Sequence, residues 1–349
     1  MYALGRGVRG VREALAHSGQ SAMPDPARAK DITPKQQETG AVTGASQSID
    51  AGPGTPAAPR PPTPLVLGKR PLIMGVVNVT PDSFSDGGHY LDAGKAIKHA
   101  MQLAAEGADI LDIGGESTRP GYVPVSADEE IQRILPVVAG LAAQTSLPLS
   151  IDTMKSRTAA EAIQAGASIV NDVWGFQFDP DIAKVTADAG ASCVLMHNRE
   201  RDDPSIDIFE DVRGFLSRSV EIALAAGVAQ ERIIIDPGIG FGKTNDQSLE
   251  MIRRLGELKR HFGLPVLLGL SRKRVIGHAT GRVSGAQRDA GSVAGHIFGL
   301  LQGADIVRVH NAAMHADALA VLNAITAGNY GKLVPAGRTG ASKCGNGDV

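Results

Sequence analysis

Four segments of this chain lead into a short apolar run in the same way. They are Gly107-Ala108-Asp109-Ile110-Leu111, Gly166-Ala167-Ser168-Ile169-Val170, Gly190-Ala191-Ser192-Cys193-Val194 and Gly303-Ala304-Asp305-Ile306-Val307, each behind an Ala-rich helical pattern. A glycine placed there ends a helix in the left-handed conformation, and the β-branched run that follows reads as a buried parallel strand. With the remaining apolar runs, the pattern predicts eight strands: 72–77, 109–113, 147–151, 168–171, 192–196, 232–235, 265–269 and 304–309. Helical segments follow them at about 92–106, 127–143, 155–165, 180–189, 208–226, 246–262, 285–301 and 312–326. Eight βα units between residues 71 and 327 predict an α/β fold of the (β/α)8 TIM-barrel type, as a single domain. An open doubly wound sheet is the alternative. It would need a glycine-rich turn after the first strand, which is missing. The later Gly238-Ile239-Gly240-Phe241-Gly242-Lys243 matches neither the dinucleotide fingerprint nor a P-loop.

The flanks differ from this core. Nine of the 20 prolines precede residue 65, with Tyr2 the one aromatic there. Such a stretch buries too little apolar surface to offset its ordering entropy, so 1–64 is expected to be a disordered extension. Arg6, Arg9 and Arg12 suggest a targeting presequence, but Glu13 and the Pro-rich continuation argue against one. The barrel is expected over 65–333 and a flexible tail over 334–349. Two cysteines, Cys193 and Cys344, exclude a disulfide framework or a Cys-rich zinc site and suit a reducing, cytoplasmic setting. A net charge of −2 offers no strong field for nucleic acid or an anionic membrane, and no apolar run is long enough to span a bilayer.

In a barrel of this kind, chemistry gathers where strands end and βα loops begin. Here every strand end carries polar groups: Asn78 and the run to Gly88; Asp112 to Gly121; Asp152; Asn171-Asp172; Met196-His197-Asn198; Asp236-Pro237-Gly238; Ser271-Arg272-Lys273; and Arg308-Val309-His310-Asn311. Helix capping accounts well for Asp172 and fairly for Asn311 and Thr153. It does not account for Lys273 or Arg308, because a cation at a helix start opposes the macrodipole. Loops after strands seven and eight commonly hold phosphate, and Ser271, Lys273, Arg308 and His310 there suit a diphosphate. The amide oxygen of Asn78 could ligate Mg2+, with phosphate oxygens and water completing its shell. Asp152, Asn171 and Asp236 suit a flat heterocycle with a guanidine-like edge, because a carboxylate accepts two parallel N–H bonds. Lys273 can donate to a ring atom, and Arg308 can lie on the ring's face. A heterocycle, a diphosphate and Mg2+ together point to displacement of pyrophosphate rather than hydrolysis. There is no nucleophile elbow, and Cys193 falls mid-strand as a core residue.

These strand-end segments resemble the dihydropteroate synthases of folate biosynthesis over about 71–327. The resemblance rests on Met74–Gly88, Asp112–Gly121, Asp236–Lys243, Ser271-Arg272-Lys273 and Arg308-Val309-His310, in that order. It implies a homodimeric barrel that joins 6-hydroxymethyl-7,8-dihydropterin diphosphate to p-aminobenzoate with Mg2+, giving 7,8-dihydropteroate and pyrophosphate, and that binds sulfonamides. Carried over position by position, Asp152, Asn171, Asp236 and Lys273 hold the pterin, Met196 and Phe241 line it, and Arg308 covers its face. Asn78, Arg308 and His310 meet diphosphate or metal. Phe84, Thr118, Pro120 and Ser271 fall at the p-aminobenzoate site. Asp86 and Arg119 match loop residues that close over it, and with Asp152 and Lys273 they form the implied catalytic set.

The chain departs from the family after strand five, where Met196-His197 is followed by Asn198-Arg199-Glu200-Arg201-Asp202-Asp203, read as a solvated loop. Two rival readings leave residues unexplained. A pterin-dependent methyltransferase has no use for Ser83-Phe84-Ser85-Asp86 or for the anion-binding set. An inactive homologue should have lost one of Asn78, Asp86, Arg119, Lys273, Arg308 or His310, and all are present.

Overall fold

The computed structural model describes residues 65, 67, 70–79, 89–116 and 124–327. Eight parallel strands alternate with helices in chain order. The strands are β1 Leu72–Asn78, β2 Ile110–Gly114, β3 Leu149–Asp152, β4 Ile169–Asp172, β5 Ser192–Met196, β6 Ile233–Asp236, β7 Leu267–Leu268 and β8 Ile306–Val309. Between and after them run α1 His89–Ala105, α2 Ala127–Ala142, α3 Ser156–Gln164, α4 Ile182–Asp188, α5 Ile208–Ala226, α6 Asn245–Arg253, α7 Leu255–Phe262, α8 Arg274–Thr280, α9 Asp289–Leu301 and α10 Ala312–Ala327. The sheet order is β6-β5-β4-β3-β2-β1-β8-β7. A parallel bridge between Ile235 and Val266 joins the two ends, so the sheet closes as a TIM barrel.

The four glycine lead-ins behave as the sequence predicts. Gly107, Gly166, Gly190 and Gly303 have φ of 104°, 118°, 59° and 102°, each two or three positions ahead of a strand. Two apolar layers then hold the barrel. One lies between strands and helices. The other fills the barrel and takes two side chains from β1, Leu72 and Met74, and one from each other strand but β3: Ile110, Ile169, Val194, Ile234, Leu267 and Ile306. Each such side chain removed from water contributes roughly 1.5–3 kcal/mol. These inner residues plug the barrel below the rim.

Three local features differ from expectation. The helix expected over 246–262 is two, broken at Arg254 (φ −96°, ψ 12°). There the Arg254 guanidinium sits 3.9 Å from the Phe209 ring centroid and bonds Glu257. Helix α8, directly after Lys273, carries no apolar periodicity long enough to announce it. Asp172 caps a turn rather than a helix, accepting from the N–H groups of Trp174 and Phe176 at 2.8 Å each. Asn311 does cap α10, through Met314 N–H at 3.1 Å. The expectations for 1–64 and 334–349 lie outside the described residues.

Candidate active site

Side chains two residues apart on a strand point to the same face. The residues two steps beyond the apolar plug therefore face the same interior, one level nearer the rim: Val76, Asp112, Asn171, Met196, Asp236, Gly269 and Arg308, with Asp152 two beyond Ser150. Five of these eight side chains are polar, and four of them, Arg308, Asp112, Asp152 and Asn171, form one connected network. Arg308 Nε donates to Asp112 Oδ2 at 2.6 Å, and its Nη2 donates to Asp152 Oδ2 at 2.6 Å. Asn171 Nδ2 donates to Asp112 Oδ2 at 3.2 Å. Burial pushes the Asp152 carboxyl upward, Arg308 pulls it down, and the nearby Asp112 charge raises it. Asp152 Oδ1 is buried with no partner among the described residues. An unsatisfied acceptor at a rim is where a ligand's N–H donor gains most.

Asp236, at the end of β6, is 4% exposed. Its Oδ1 accepts the Gly238 N–H at 2.7 Å. Burial raises its pKa, while Lys273 opposes that shift. Lys273 Nζ donates to Ile239 O at 2.6 Å and lies 4.5 Å from the centroid of the Phe241 ring. Burial lowers the Lys273 ammonium to about 8, with Asp236 pulling it back up. The chain thus sets a carboxylate, an ammonium and an aromatic ring around one space. At the next strand, Ser271 Oγ stands 3.0 Å from His310 Nδ1 and accepts the His310 N–H at 3.2 Å. Asn78 ends β1, half-buried.

The loop that carries Phe241 is held from beneath. Lys243 is 1% exposed, and its Nζ bonds Gly238 O at 2.9 Å, Phe241 O at 3.1 Å and His197 Nδ1 at 2.6 Å. His197 Nε2 stands 3.0 Å from Asp211 Oδ2. Burial lowers His197 to about 4, and it lowers Lys243 well below its usual value. The contacts are all met when a neutral His197 donates from Nε2 to Asp211 and accepts at Nδ1, with a Lys243 ammonium donating to it and to the two carbonyls; the bonds favour this charged form and burial opposes it. Gly238 has φ of 65°, and a Cβ there would lie 1.9 Å from His197 O. Only glycine allows the β6 loop to seat this closely on the β5 loop.

A family model described as "Pterin binding enzyme" matches residues 74–310. Dihydropteroate synthase of Clostridium beijerinckii is 47% identical over 246 residues, which cover 70% of this chain and 90% of that protein. The Bacillus subtilis enzyme of the same name is 46% identical over 250 residues, covering 72% of this chain and 87% of its own. The chain belongs to the dihydropteroate synthase family. Among solved structures, the dihydropteroate synthase of Clostridium difficile in the presence of pteroic acid superposes with a TM-score of 0.72 at 45% identity, covering 75% of this chain and 98% of that one. That of Xanthomonas albilineans in complex with 7,8-dihydropteroate gives 0.69 at 44% identity, covering 74% and 95%.

Within this dihydropteroate synthase fold, the rim brings together Asp152, Asn171, Met196, Asp236, Phe241, Lys273 and Arg308, with Asn78, Ser271 and His310 also at strand ends. Phe84, Asp86, Thr118, Arg119 and Pro120 lie outside the described residues. Sequence reasoning did not assign Asp112 a role, yet it is 0% exposed and bonds Arg308. The available signal was an acidic residue in the apolar run Ile110-Leu111-Asp112-Ile113, in step with Ile110 facing inward. The Lys243–His197–Asp211 stack was also missed, because its members are far apart in sequence. The segment after β5 is only partly a solvated loop. Glu200, Arg201 and Asp202 are exposed, but Arg199 is half-buried against Gly242, with its Nε 3.6 Å from Asp211.

Proposed function

We propose that this rim condenses 6-hydroxymethyl-7,8-dihydropterin diphosphate with p-aminobenzoate. The observation that carries the reading is the polar level above the apolar plug. Three carboxylates and an amide face inward there, with one of them, Asp152, carrying an oxygen with no partner among the described residues. Asp236 and Asn171 accept and donate along the pterin's guanidine-like edge. Asp152 offers Oδ1 to a ring N–H. Met196 and Phe241 flank the ring, Lys273 donates to a ring atom, and Arg308 lies against its face. Ser271 and His310, at the adjacent strand ends, meet p-aminobenzoate and diphosphate, and Phe84, Thr118 and Pro120 complete the p-aminobenzoate side.

In the reaction the pterin methylene C–O bond breaks, and its electron pair leaves with pyrophosphate. The methylene becomes carbocation-like, stabilised by the electron-rich ring and by the field of Asp152. The arylamine nitrogen forms the new C–N bond and gives up a proton. Arg308, Lys273 and His310 offset the leaving group's charge. The family resemblance assigns Asp86 and Arg119 to excluding water from this centre.

The magnesium reading fits in a limited sense. Among the described residues no group of three or more His, Cys, Asp or Glu could hold an ion. The donor set is the Asn78 amide oxygen beside the anion-binding strands, which suits Mg2+ that keeps its waters and the substrate's phosphate oxygens. When bound there, it supplies charge neutralisation to the departing diphosphate.

A homodimer is supported by the outer faces of the last two helices. Phe298 and Leu301 on α9 and Met314, Val321 and Ile325 on α10 are exposed apolar side chains. Equilibrium sedimentation at micromolar protein should give twice the chain mass. Cytoplasmic placement rests on cysteine usage, with Cys193 free and buried. No helix among the described residues is long and apolar enough to cross a membrane.

The deciding experiment is pyrophosphate release from pterin diphosphate with Mg2+, with and without p-aminobenzoate. Release that requires p-aminobenzoate and is competed by a sulfonamide supports the synthase. Saturable pterin diphosphate binding without turnover supports an inactive homologue instead.

A further inference from the structure

Arg272 separates two residues of the rim, Ser271 and Lys273, and its backbone is left-handed, with φ of 59°. A residue bearing a Cβ is disfavoured roughly tenfold in that conformation. It persists only where surrounding bonds over-determine it.

Three sets of bonds do so here. Arg272 N–H donates to Ser292 Oγ at 3.0 Å, and Arg272 O accepts from Arg288 Nη1 at 3.1 Å. The guanidinium forks onto Asp289, Nε to Oδ1 at 2.6 Å and Nη2 to Oδ2 at 2.8 Å. Asp289 is 8% exposed and opens α9. Its Oδ2 also accepts Asn311 Nδ2 at 3.2 Å. Asn311 follows His310 directly. One carboxylate therefore ties the loop after β7 to the loop after β8.

We propose that Asp289 is a positioning residue, holding Arg272 in its left-handed turn so that Ser271 and Lys273 project to opposite sides, in register with His310. The inference deepens the synthase reading of the same site. It concerns no atom that touches substrate. A left-handed residue reverses the chain locally, which sends Ser271 toward His310 and Lys273 toward Asp236 and Ile239. If the turn relaxes to an ordinary φ, these two side chains lose their separate directions. Both substrates should then be affected, while the pterin-edge acceptors on β3, β4 and β6 stay in place.

The test compares Asp289→Ala, Arg272→Ala, Arg272→Gly and the Asp289→Ala/Arg272→Gly double variant. Glycine takes positive φ without a clamp. Asp289→Ala and Arg272→Ala should each lower kcat/KM for pterin diphosphate about tenfold, the factor by which a Cβ disfavours the turn. The double variant should recover to within about threefold of the parent, since glycine removes that penalty. A merely structural loss would lower kcat with the folded fraction and leave the KM for pterin diphosphate unchanged, whereas misdirected Ser271 and Lys273 raise that KM. Wild-type activity in Asp289→Ala overturns the proposal. So does a double variant no better than Asp289→Ala, which would mean that the Arg272 side chain itself is needed. If Asp289→Ala does not fold, Arg272→Ala against Arg272→Gly decides, with equal loss in the two overturning it. Affinity for inorganic pyrophosphate, measured by calorimetry on the same proteins, reads the turn without turnover. Failure of the wild-type reaction is thus distinguishable from failure of the clamp.

Discussion

Arg308 Nε and Asp112 Oδ2 meet at 2.6 Å although 196 residues of chain separate them. They stand on β8 and β2, which are not neighbours in the sheet, since β1 runs between them. The bond exists because the barrel curves its strands around a common interior. It makes Arg308 the neutralising partner of two buried carboxylates, Asp112 and Asp152.

Arg308→Met should therefore cost more than a ligand contact. It leaves two carboxylates below the rim without their cation, a loss of about 3–5 kcal/mol in folding stability. The deficit should shrink as the pH falls. A carboxyl whose folded pKa lies above its unfolded value binds more protons when folded, so acid favours the folded state. Urea unfolding at pH 5.5 and pH 8 measures this. An equal deficit at both pH values would refute the electrostatic account.

Asp236→Ala removes a charged acceptor at 4% exposure and also frees the Gly238 N–H. Pterin binding should weaken by roughly 2–4 kcal/mol, as for a buried charge-assisted bond. Calorimetry with a pterin ligand reads it directly. Near-parental affinity would remove Asp236 from the pterin site.

Lys273 loses its proton near pH 8, because burial disfavours the charged form. Below that pH the ammonium donates; above it the charge is gone. Affinity for pterin diphosphate should accordingly fall as the pH rises through about 8. Lys273→Arg keeps its charge throughout and should erase this limb of the profile, even if overall affinity is lower. An unchanged alkaline limb in that variant would assign the titration to another group.

Lys243→Met should loosen the β6 loop. It strands the Gly238 and Phe241 carbonyls and His197 Nδ1, each at a cost of about 1–3 kcal/mol when left buried and unpaired. Pterin affinity should fall with stability, because Phe241 rides on this loop. The p-aminobenzoate KM should change less. A melting temperature equal to the parent's would show that the carbonyls find other partners.

Much of the fold was legible from residues 71–327. Strand starts at Gly107, Gly166, Gly190 and Gly303 depend on a left-handed helix ending, which is a property of a few consecutive residues. Polar residues at strand ends, such as Asp152, Asn171, Asp236 and Arg308, stand out because they follow apolar runs. The helix break at Arg254 was not legible. It answers to Phe209 and Glu257, and one of these lies on another helix.

What the sequence by itself determined is therefore local and periodic: where strands begin, where helices follow them, and which rim the polar ends share. Tertiary structure alone decided the pairings. Asp112 reaches Arg308 only once the sheet closes between Ile235 and Val266. Lys243 becomes a buried staple only when the β6 loop packs against His197. Arg272 holds a left-handed turn only because Asp289 arrives from α9. Each of these joins residues brought together by chain closure, so neither partner carries in its own neighbourhood the energy that fixes its role.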